Sequence, residues 1–316
     1  MRVLYLAEFD PCCVGVGWKR ALAAHGIDLR VAVSRAYWAE GQAADWIENH
    51  SRSLDLDGLR DFAETADLLL WCPGIGQPWS YQSTEPRLER PTFHGLEFRH
   101  NRTIALVHGS RNANANTGYY ADYYRSQGYR IAATTLDYVA GMDAEYLPPV
   151  VDVLGLPPAD LRGDEPLMAT QSPTDTANCH TQDFIDACRE LGIKGSVATG
   201  LTHEKCLAHK RTCHAGFDHL RGSFSINAIE SAGLGLVSLV GTAPKYRALL
   251  ERLHGVTWGL PKIETVEDLR QTMRSLANDP ELTRRLQRQC RDWYVSQWHP
   301  RLVAKRVAEA LGRLAQ

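Results

Sequence analysis

Short apolar runs alternate with amphipathic segments along the chain, and this alternation predicts its secondary structure. Residues 3–7 and 29–33 have the composition of buried strands, and residues 14–25 between them have the spacing of an amphipathic helix. A strand, a helix and a second strand in this order predict a parallel sheet covered on both faces. The pattern then recurs, with further strands predicted at residues 67–72, 103–107 and 129–133 and helices at residues 59–65 and 119–127.

A second series of the same kind follows two proline pairs, Pro148-Pro149 and Pro157-Pro158. Such pairs favour a domain boundary. We predict strands at residues 167–170, 195–199, 213–217 and 236–240, with helices at residues 181–191, 202–210 and 225–232 and a helical region from residue 265 to the end. The pattern predicts two consecutive doubly wound α/β domains with a helical tail. Ligands of such folds bind beyond the carboxyl ends of the strands, so we expect the site in the cleft between the domains.

Composition narrows the class of protein further. The 316 residues are 44% hydrophobic, which excludes a disordered chain. A net charge of −2 lacks the footprint of a dedicated nucleic-acid binder, although a local basic cleft stays compatible with it. No apolar run has the length of a membrane helix, no secretory leader is present at the start, and the eight cysteines are scattered. We therefore expect a cytoplasmic protein with reduced thiols.

The most informative segment begins at Asp218 and ends at Gly235. An acid precedes a Gly/Ser turn, a helix follows, and Glu230 lies along that helix. The first turn of a helix exposes N–H groups and the positive end of the helix dipole, which suits a diphosphate. A carboxylate further along could accept hydrogen bonds from both hydroxyls of a ribose. The alternative is a capped helix with a solvent-facing Glu.

This segment resembles the donor-nucleotide motif of glycosyltransferase family 4, whose members have the GT-B fold of two Rossmann-like domains. The motif of that family reads approximately D-x-x-x-G-x-[FYW]-[GS]-x-x-x-x-E-A-x-x-x-G-x-P-V. The matching positions here are Asp218, Gly222, Phe224, Ser225, Glu230 and Gly235.

Three other segments resemble elements of the same family, in the same order along the chain. Ile104-Ala-Leu-Val-His108-Gly-Ser-Arg111 is similar to the strand and HGS-x-R element of the first domain. Ser172-Pro-Thr174-Asp is similar to the element that opens the donor domain. Phe9-Asp-Pro and Gly15-Val-Gly17 match the amino-terminal glycine loop that faces the cleft.

The sequence departs from the family pattern at three places. Many retaining members carry a Glu eight positions before the ribose-binding Glu, and here that position is Gly222. Cys179 and His180 stand near the expected diphosphate-binding Lys, and the Pro of G-x-P-V is missing after Gly235.

The resemblance implies a glycosyltransferase that takes a sugar from a nucleotide diphosphate, with UDP the expected nucleotide and retention the expected outcome. It implies an acceptor-side domain of residues 1–152, with the helix at 297–316 packing back on it, and a donor domain of residues 153–296. It requires no metal ion or other cofactor. The catalytic residues implied are His108, Asp218 and Arg111. The donor-binding residues implied are Glu230, Arg221, Gly222, Ser223, Phe224, Ser225, Ser172, Thr174, Gly15 and Gly17.

Several other patterns compete with this interpretation. Asp55-Leu-Asp57 has the D-x-D form of a metal motif, but it precedes a predicted helix, where acids also act as caps. The group formed by His203, Cys206, His209, Cys213 and His214 has zinc-binding residue types, but three of its members lie along one predicted helix. Gly15 and Gly17 also allow an NAD(P)-dependent Rossmann enzyme, although Arg20 replaces the third glycine of that motif.

The acceptor is left open between a glycan, a small molecule and a hydroxymethylated DNA base. Arg284, Arg285, Arg288 and Arg291 share a helical face that could meet a polyanion or be only solvated. Tyr119, Tyr120, Tyr123 and Tyr124 could stack on a sugar or base or pack in a core. Because Gly222 replaces a Glu, an inactive nucleotide-sugar-binding module is a further alternative.

Overall fold

The chain forms two compact units, each with its own parallel sheet. The computed structural model describes residues 1–7, 10, 14–33, 45–47, 55–72, 92–93, 96–98, 102–108, 117–173, 176, 179–220 and 222–316. The first unit comprises Met1–Val150 and Pro300–Gln316, and the second comprises Val151–His299. Within the described part of the chain, no helix combines the length and the apolarity needed to cross a membrane.

The sheet of the first unit has seven strands, all parallel to their neighbours. Its strands are β1 (Arg2–Ala7), β2 (Asp28–Val33), β3 (Trp46–Ile47), β4 (Leu68–Trp71), β7 (Thr103–Val107), β8 (Arg130–Ala133) and β9 (Glu145–Tyr146), in the order β3-β2-β1-β4-β7-β8-β9. A separate antiparallel pair is formed by β5 (Thr92–Phe93) and β6 (Leu96–Glu97). Every residue of β4 and β7 is buried, as expected for strands covered on both faces.

The described part of the first unit contains five α-helices. They are α1 (Val14–Leu22), α2 (Leu56–Glu64), α3 (Thr117–Ser126), α4 (Leu136–Met142) and the carboxyl-terminal α11 (Pro300–Ala315). The last helix buries one apolar face and packs on α1. Helix α4 lies outside the elements that the hydrophobic pattern predicted, because it has only seven residues and its five buried positions include the polar Asp137.

The second unit has a four-stranded parallel sheet in the order β11-β10-β12-β13. Its strands are β10 (Met168–Gln171), β11 (Lys194–Val197), β12 (Ala215–Phe217) and β13 (Val237–Leu239). Its helices are α5 (Thr181–Leu191), α6 (His203–Lys210), α7 (Ile226–Gly233), α8 (Pro244–His254), α9 (Val266–Asn278) and α10 (Pro280–Gln297). The alternation of strands and helices predicted from the sequence is confirmed, and the mixed α/β fold class with it.

One buried arginine, in the segment before β10, forms hydrogen bonds with residues of α9 and α10. The Arg162 side chain is 3% exposed and donates to the backbone carbonyls of Leu276, Ala277 and Glu165 and to the Thr283 hydroxyl. These carbonyls include some from the last turn of α9, which has no helical partners for them. The guanidinium, with its five donors in a fixed plane, therefore closes the carboxyl end of a helix.

We expect Arg162→Met to lower the free energy of unfolding by about 2 to 4 kcal/mol, because several buried carbonyls would lose their donor at once. Chemical denaturation followed by circular dichroism measures this change. The matched control is Arg285→Met on the exposed face of α10, which should change the stability by less than about 0.5 kcal/mol. Equal effects of the two variants would contradict the role of Arg162 as the donor to the carbonyls at the end of α9.

Candidate functional site

Polar residues gather where the strands of the second sheet end. Ser172 follows β10, Asp218 follows β12, and α5 and α7 begin after the same edge of the sheet. This placement follows from the topology, because every parallel strand ends at one edge and the next helix starts there. The edge therefore collects both helix amino termini and the side chains predicted to bind a donor.

The turn before α7 is held by a buried carboxylate. Asp218 accepts a hydrogen bond from the Ser225 amide to Oδ2 at 2.9 Å and another from the Ser225 hydroxyl to Oδ1 at 2.7 Å. Ser225 in turn caps the helix, since its Oγ accepts from the Asn227 amide at 3.1 Å. Asp218 thus fixes the geometry of the amino terminus of α7.

Gly222 adopts a conformation that explains the missing glutamate. Its φ of +84° lies in the region that favours glycine, and it forms a β-bridge with Thr242. Its carbonyl accepts from the Ala243 amide at 2.7 Å, and a Cβ at this position would lie 3.3 Å from the Cβ of Ala243. A glutamate here would require a strained backbone and a displaced Ala243.

Phe224 points into an aromatic cluster of the second unit. Its ring centroid lies 5.5 Å from that of Trp258 and 5.3 Å from that of Trp298, in edge-on arrangements. Trp293 stacks on Trp298 with centroids 6.0 Å apart. The ring therefore anchors the turn by packing, which is a substantial apolar contact for one side chain.

Glu230 lies just over one turn into α7, and both of its carboxylate oxygens are engaged by α6. Oε2 lies 2.5 Å from Nζ of Lys210, and Oε1 lies 2.7 Å from Nε2 of His203. The side chains of Lys210 and Glu230 are 2% and 6% exposed, whereas that of His203 is 49% exposed. Glu230 is therefore a buried, paired acceptor and not the solvent-facing residue of the alternative interpretation.

The pairing determines the charge of Glu230. Burial alone would raise the pKa of its carboxyl, but the charge of Lys210 and the hydrogen bond with His203 outweigh burial and lower the pKa to about 2. The same hydrogen bond raises the pKa of His203 above its ordinary value of 6.5. Glu230 is thus a fixed carboxylate throughout the physiological range.

The residues of the zinc alternative have separate partners. The Nε2 atom of His209 lies 2.8 Å from the Ser196 hydroxyl, and Nε2 of His214 lies 3.0 Å from Oε1 of Glu165. Among the residues that the structure describes, no three His, Cys, Asp or Glu side chains are grouped closely enough to hold a metal ion. The histidines of this group, two on α6 and one just before β12, therefore make three separate contacts.

Several buried side-chain oxygens near this edge have no hydrogen-bond partner within the described chain. They are Gln171 Oε1, Ser172 Oγ, Thr181 Oγ1, Ser223 Oγ and Thr242 Oγ1. A buried polar atom without a partner costs about 1 to 3 kcal/mol, so such atoms are rare unless a ligand or water completes them. Their position beside α5 and α7 makes this edge a candidate binding site.

A second polar cluster lies in the first unit around His108, which directly follows β7. Its Nε2 lies 3.3 Å from the Tyr5 hydroxyl, and its Nδ1 lies 3.0 Å from Oγ1 of Thr134. The Tyr5 hydroxyl also donates to Oδ1 of Asp10 at 3.3 Å. Asp10 belongs to the Phe9-Asp-Pro match and lies three residues after β1, but no individual role was predicted for it or for Tyr5, although an acid soon after a buried strand was a usable signal.

Burial sets the charge states in this cluster. It lowers the pKa of His108 to about 3, so the imidazole is neutral at physiological pH. It raises the pKa of Asp10 to about 6, even though the amides of Gly15 and Val16 donate to this carboxylate. His108 is therefore a neutral group, and both of its ring nitrogens have hydrogen-bonding partners in this structure.

Gly15 and Gly17 lie in the first turn of α1, within the helix predicted over residues 14–25, and their role in donor binding stays a prediction. A Cβ on Gly15 would lie 2.9 Å from the Tyr5 ring, and one on Gly17 would lie 2.8 Å from the Val150 carbonyl oxygen. These glycines allow close packing of the helix. Asp10 already accepts from two amides of this turn, Gly15 and Val16.

Other predicted residues are placed as follows. Asp55, from the D-x-D motif, caps α2, since its side chain accepts from the Gly58 amide at 2.9 Å.

The tyrosines and arginines considered for an acceptor have different surroundings. Tyr124 is buried against Trp71, whereas Tyr119 is 56% exposed. Arg284, from the arginine face, donates to the carbonyl of Arg162 and to Glu281. Arg111, Thr174 and Arg221 lie outside the described residues.

We expect Lys210→Met to destabilise the protein by about 3 to 5 kcal/mol at neutral pH, because Glu230 would be left buried without its cation. The lowered pKa of Glu230 stabilises the native state above pH 4.5, and this contribution is lost as the pH falls towards about 2. The difference between the variant and the parent should therefore shrink over that range in urea unfolding. Lys205→Met on the exposed side of α6 is the control, and equal losses in both variants would contradict the prediction.

Comparison with solved structures finds likenesses along the whole chain. A sucrose-phosphate synthase from Thermosynechococcus elongatus is 12% identical with a TM-score of 0.62, and 99% of this chain and 98% of that chain are covered. HepE from Anabaena, in complex with UDP and glucose, is 10% identical with a TM-score of 0.58, and the coverage is 99% and 100%. An O-GlcNAc transferase from Thermobaculum terrenum is 15% identical with a TM-score of 0.52, covering 100% of this chain and 67% of that chain.

No family model matches the sequence, and no curated protein matches it. At such low identities the structural likenesses establish the fold. The chain has the GT-B fold that its sequence predicted, with two Rossmann-like domains, and membership of family 4 stays a prediction.

Proposed function

We propose that this protein is a glycosyltransferase that transfers a sugar from a UDP-sugar to an acceptor hydroxyl. The observation that carries the proposal is the ionised, buried Glu230 just over one turn into α7, beside an amino terminus that Asp218 holds in place. The proposal is supported by the shared fold, since HepE has been solved with UDP-glucose as well as with UDP and glucose.

In this proposal the carboxylate of Glu230 accepts hydrogen bonds from the ribose hydroxyls of the donor. The diphosphate lies at the amino terminus of α7, where the helix dipole and the buried hydroxyls of Ser223 and Thr242 favour an anion. Ser172, which follows β10, completes the proposed donor-binding set together with Thr174 and Arg221. We assign Asp218 to holding the turn, because its carboxylate is already hydrogen-bonded to Ser225.

For the first unit we propose that His108 and Arg111 contribute to catalysis. A neutral imidazole can donate a hydrogen bond to a sugar hydroxyl without a proton being taken up. Departure of the sugar leaves negative charge on the diphosphate, which α7 and Arg221 would stabilise. We propose retention, with the leaving phosphate taking the acceptor proton and no metal ion required.

The dinucleotide alternative meets an obstacle at α1. A Rossmann dinucleotide site uses free amides at the start of this helix. Here the carboxylate of Asp10 accepts from the amides of Gly15 at 2.8 Å and Val16 at 3.0 Å. A pyrophosphate at this position would be opposed by the charge of Asp10.

A second candidate function, a binding module without turnover, is favoured by one observation. The family motif has a glutamate at the position of Gly222. The backbone conformation of Gly222 would be strained by a glutamate, so the chain lacks this carboxylate. Incubating UDP- and GDP-sugars with plain DNA, hydroxymethylated DNA, small molecules and small glycans, with products read by mass spectrometry, tests both functions. Transfer, or slow hydrolysis of the donor, supports the transferase, whereas tight binding without either supports the module.

We expect Glu230→Gln to weaken the binding of UDP-glucose at least about tenfold, because the uncharged amide is a poorer acceptor for two ribose hydroxyls. Isothermal titration calorimetry measures the Kd, with thermal unfolding used to show that the variant is folded. The control is Glu251→Gln on the exposed face of α8. An unchanged Kd for Glu230→Gln would exclude the ribose contact.

We expect His108→Ala to lower the rate of donor turnover at least about 100-fold while changing the Kd for UDP-glucose less than about threefold. The reason is that a group acting on the reacting sugar contributes more in the transition state than in the bound donor. His25→Ala, at an exposed position of the first unit, serves as the control. Equal losses in turnover and binding would rule out the catalytic role of His108.

A further inference from the structure

The two oxygens of the Glu230 carboxylate face different surroundings. Oε2 meets Nζ of Lys210, whose side chain is 2% exposed, while Oε1 meets Nε2 of His203, whose side chain is 49% exposed. Since Glu230 and Lys210 are both buried, the accessible partner of the carboxylate is His203. A ligand that reaches Glu230 must therefore approach from the side of His203.

His203 is also placed where its side chain can move. It is the first residue of α6, and Thr202 caps this helix by accepting from the Lys205 amide at 3.3 Å. The amide groups of a first helical turn have no partners within the helix, so a rotation of the His203 side chain breaks no helical hydrogen bond. The cap stays intact whichever way the imidazole points.

We propose that His203 competes with the ribose of the donor for Oε1 of Glu230, so that donor binding displaces the imidazole. This inference rests on the proposed function, because it takes Glu230 as the ribose acceptor. The Lys210 ammonium keeps Oε2 and holds the carboxylate in place during the exchange. His203 is then a positioning residue that tunes donor affinity.

The proposal predicts how donor affinity depends on pH. The charged groups beside Glu230 are Lys210 and His203 on α6, while α10 contributes Tyr294. Burial raises the pKa of Tyr294 to about 12, and its hydroxyl donates to the Val151 carbonyl, so it does not titrate near neutrality. His203 is the group whose charge changes in this range, with a pKa raised above 6.5 by its bond to Glu230.

The sign follows from the strength of the bond that must be broken. Below its pKa, His203 is an imidazolium and makes a charge-assisted hydrogen bond, roughly twice as strong as a neutral one. Above its pKa, the neutral ring releases Oε1 more readily. Donor affinity should therefore rise with pH, whereas a cationic His203 that simply attracted the diphosphate would make affinity fall with pH.

The test is calorimetry with UDP-glucose from about pH 5.5 to about pH 8.5. UDP-glucose is used because each of its phosphates carries one ester bond and shares one anhydride bond, so that neither retains a weakly acidic hydroxyl and the charge stays constant over this range. For the parent protein we expect the Kd to tighten about three- to tenfold with rising pH. His203→Ala should bind at every pH as tightly as the parent does at the highest pH, and His25→Ala should behave as the parent.

A second measurement follows the His203 imidazole by NMR with and without saturating UDP-glucose. Its pKa should fall towards 6.5 when the donor displaces it from Glu230. Binding with a flat or opposite pH profile, or an unchanged His203 pKa on saturation, would overturn the competition while leaving the proposed function intact. No binding by the parent at any pH would overturn the proposed function and this inference together.

Discussion

A buried carboxylate is costly to ionise, and the candidate site depends on how the chain meets this cost at Glu230. The ammonium of Lys210 lies 2.5 Å from one oxygen, and the remaining oxygen is bonded to His203. A buried ion pair seldom adds net stability over an apolar pair of the same shape. The pair is therefore better explained by what it presents, which is a fixed negative acceptor at the edge of a sheet. Helices α6 and α7 are tied together by the same contact.

Both units use a buried aspartate after a strand, but with different consequences. In the first unit, Asp10 accepts from two amides inside the first turn of α1, which occupies that helix terminus. In the second unit, Asp218 accepts from the amide and hydroxyl of Ser225, the residue that precedes α7. The first arrangement opposes an anion at the helix terminus, whereas the second builds a rigid turn in front of it. This difference favours the second unit in the proposed placement of the diphosphate.

The sequence predicted the fold class because strands buried on both faces are nearly continuous apolar runs, which are easy to recognise. Strand β7 accordingly has its predicted bounds of 103–107, and β4 lies within the predicted range of 67–72. The partners of Glu230 could not be predicted, since Lys210 and His203 are 20 and 27 residues away and meet it only through the packing of α6. Gly15 and Gly17 lie within the predicted helix, but their close packing could not be predicted, because a glycine required for packing has the same sequence signal as one required for a turn.

Gly222 places a limit on the chemistry of the second unit. Many retaining members of the family that this segment resembles carry a glutamate at this position. Here a glutamate would strain the backbone at Gly222 and displace Ala243. Asp218 cannot substitute freely, because moving its carboxylate would release Ser225 and the cap of α7. The conformation of Gly222 and the hydrogen bonds of Asp218 therefore fix the turn before α7 and leave it without a second carboxylate at position 222.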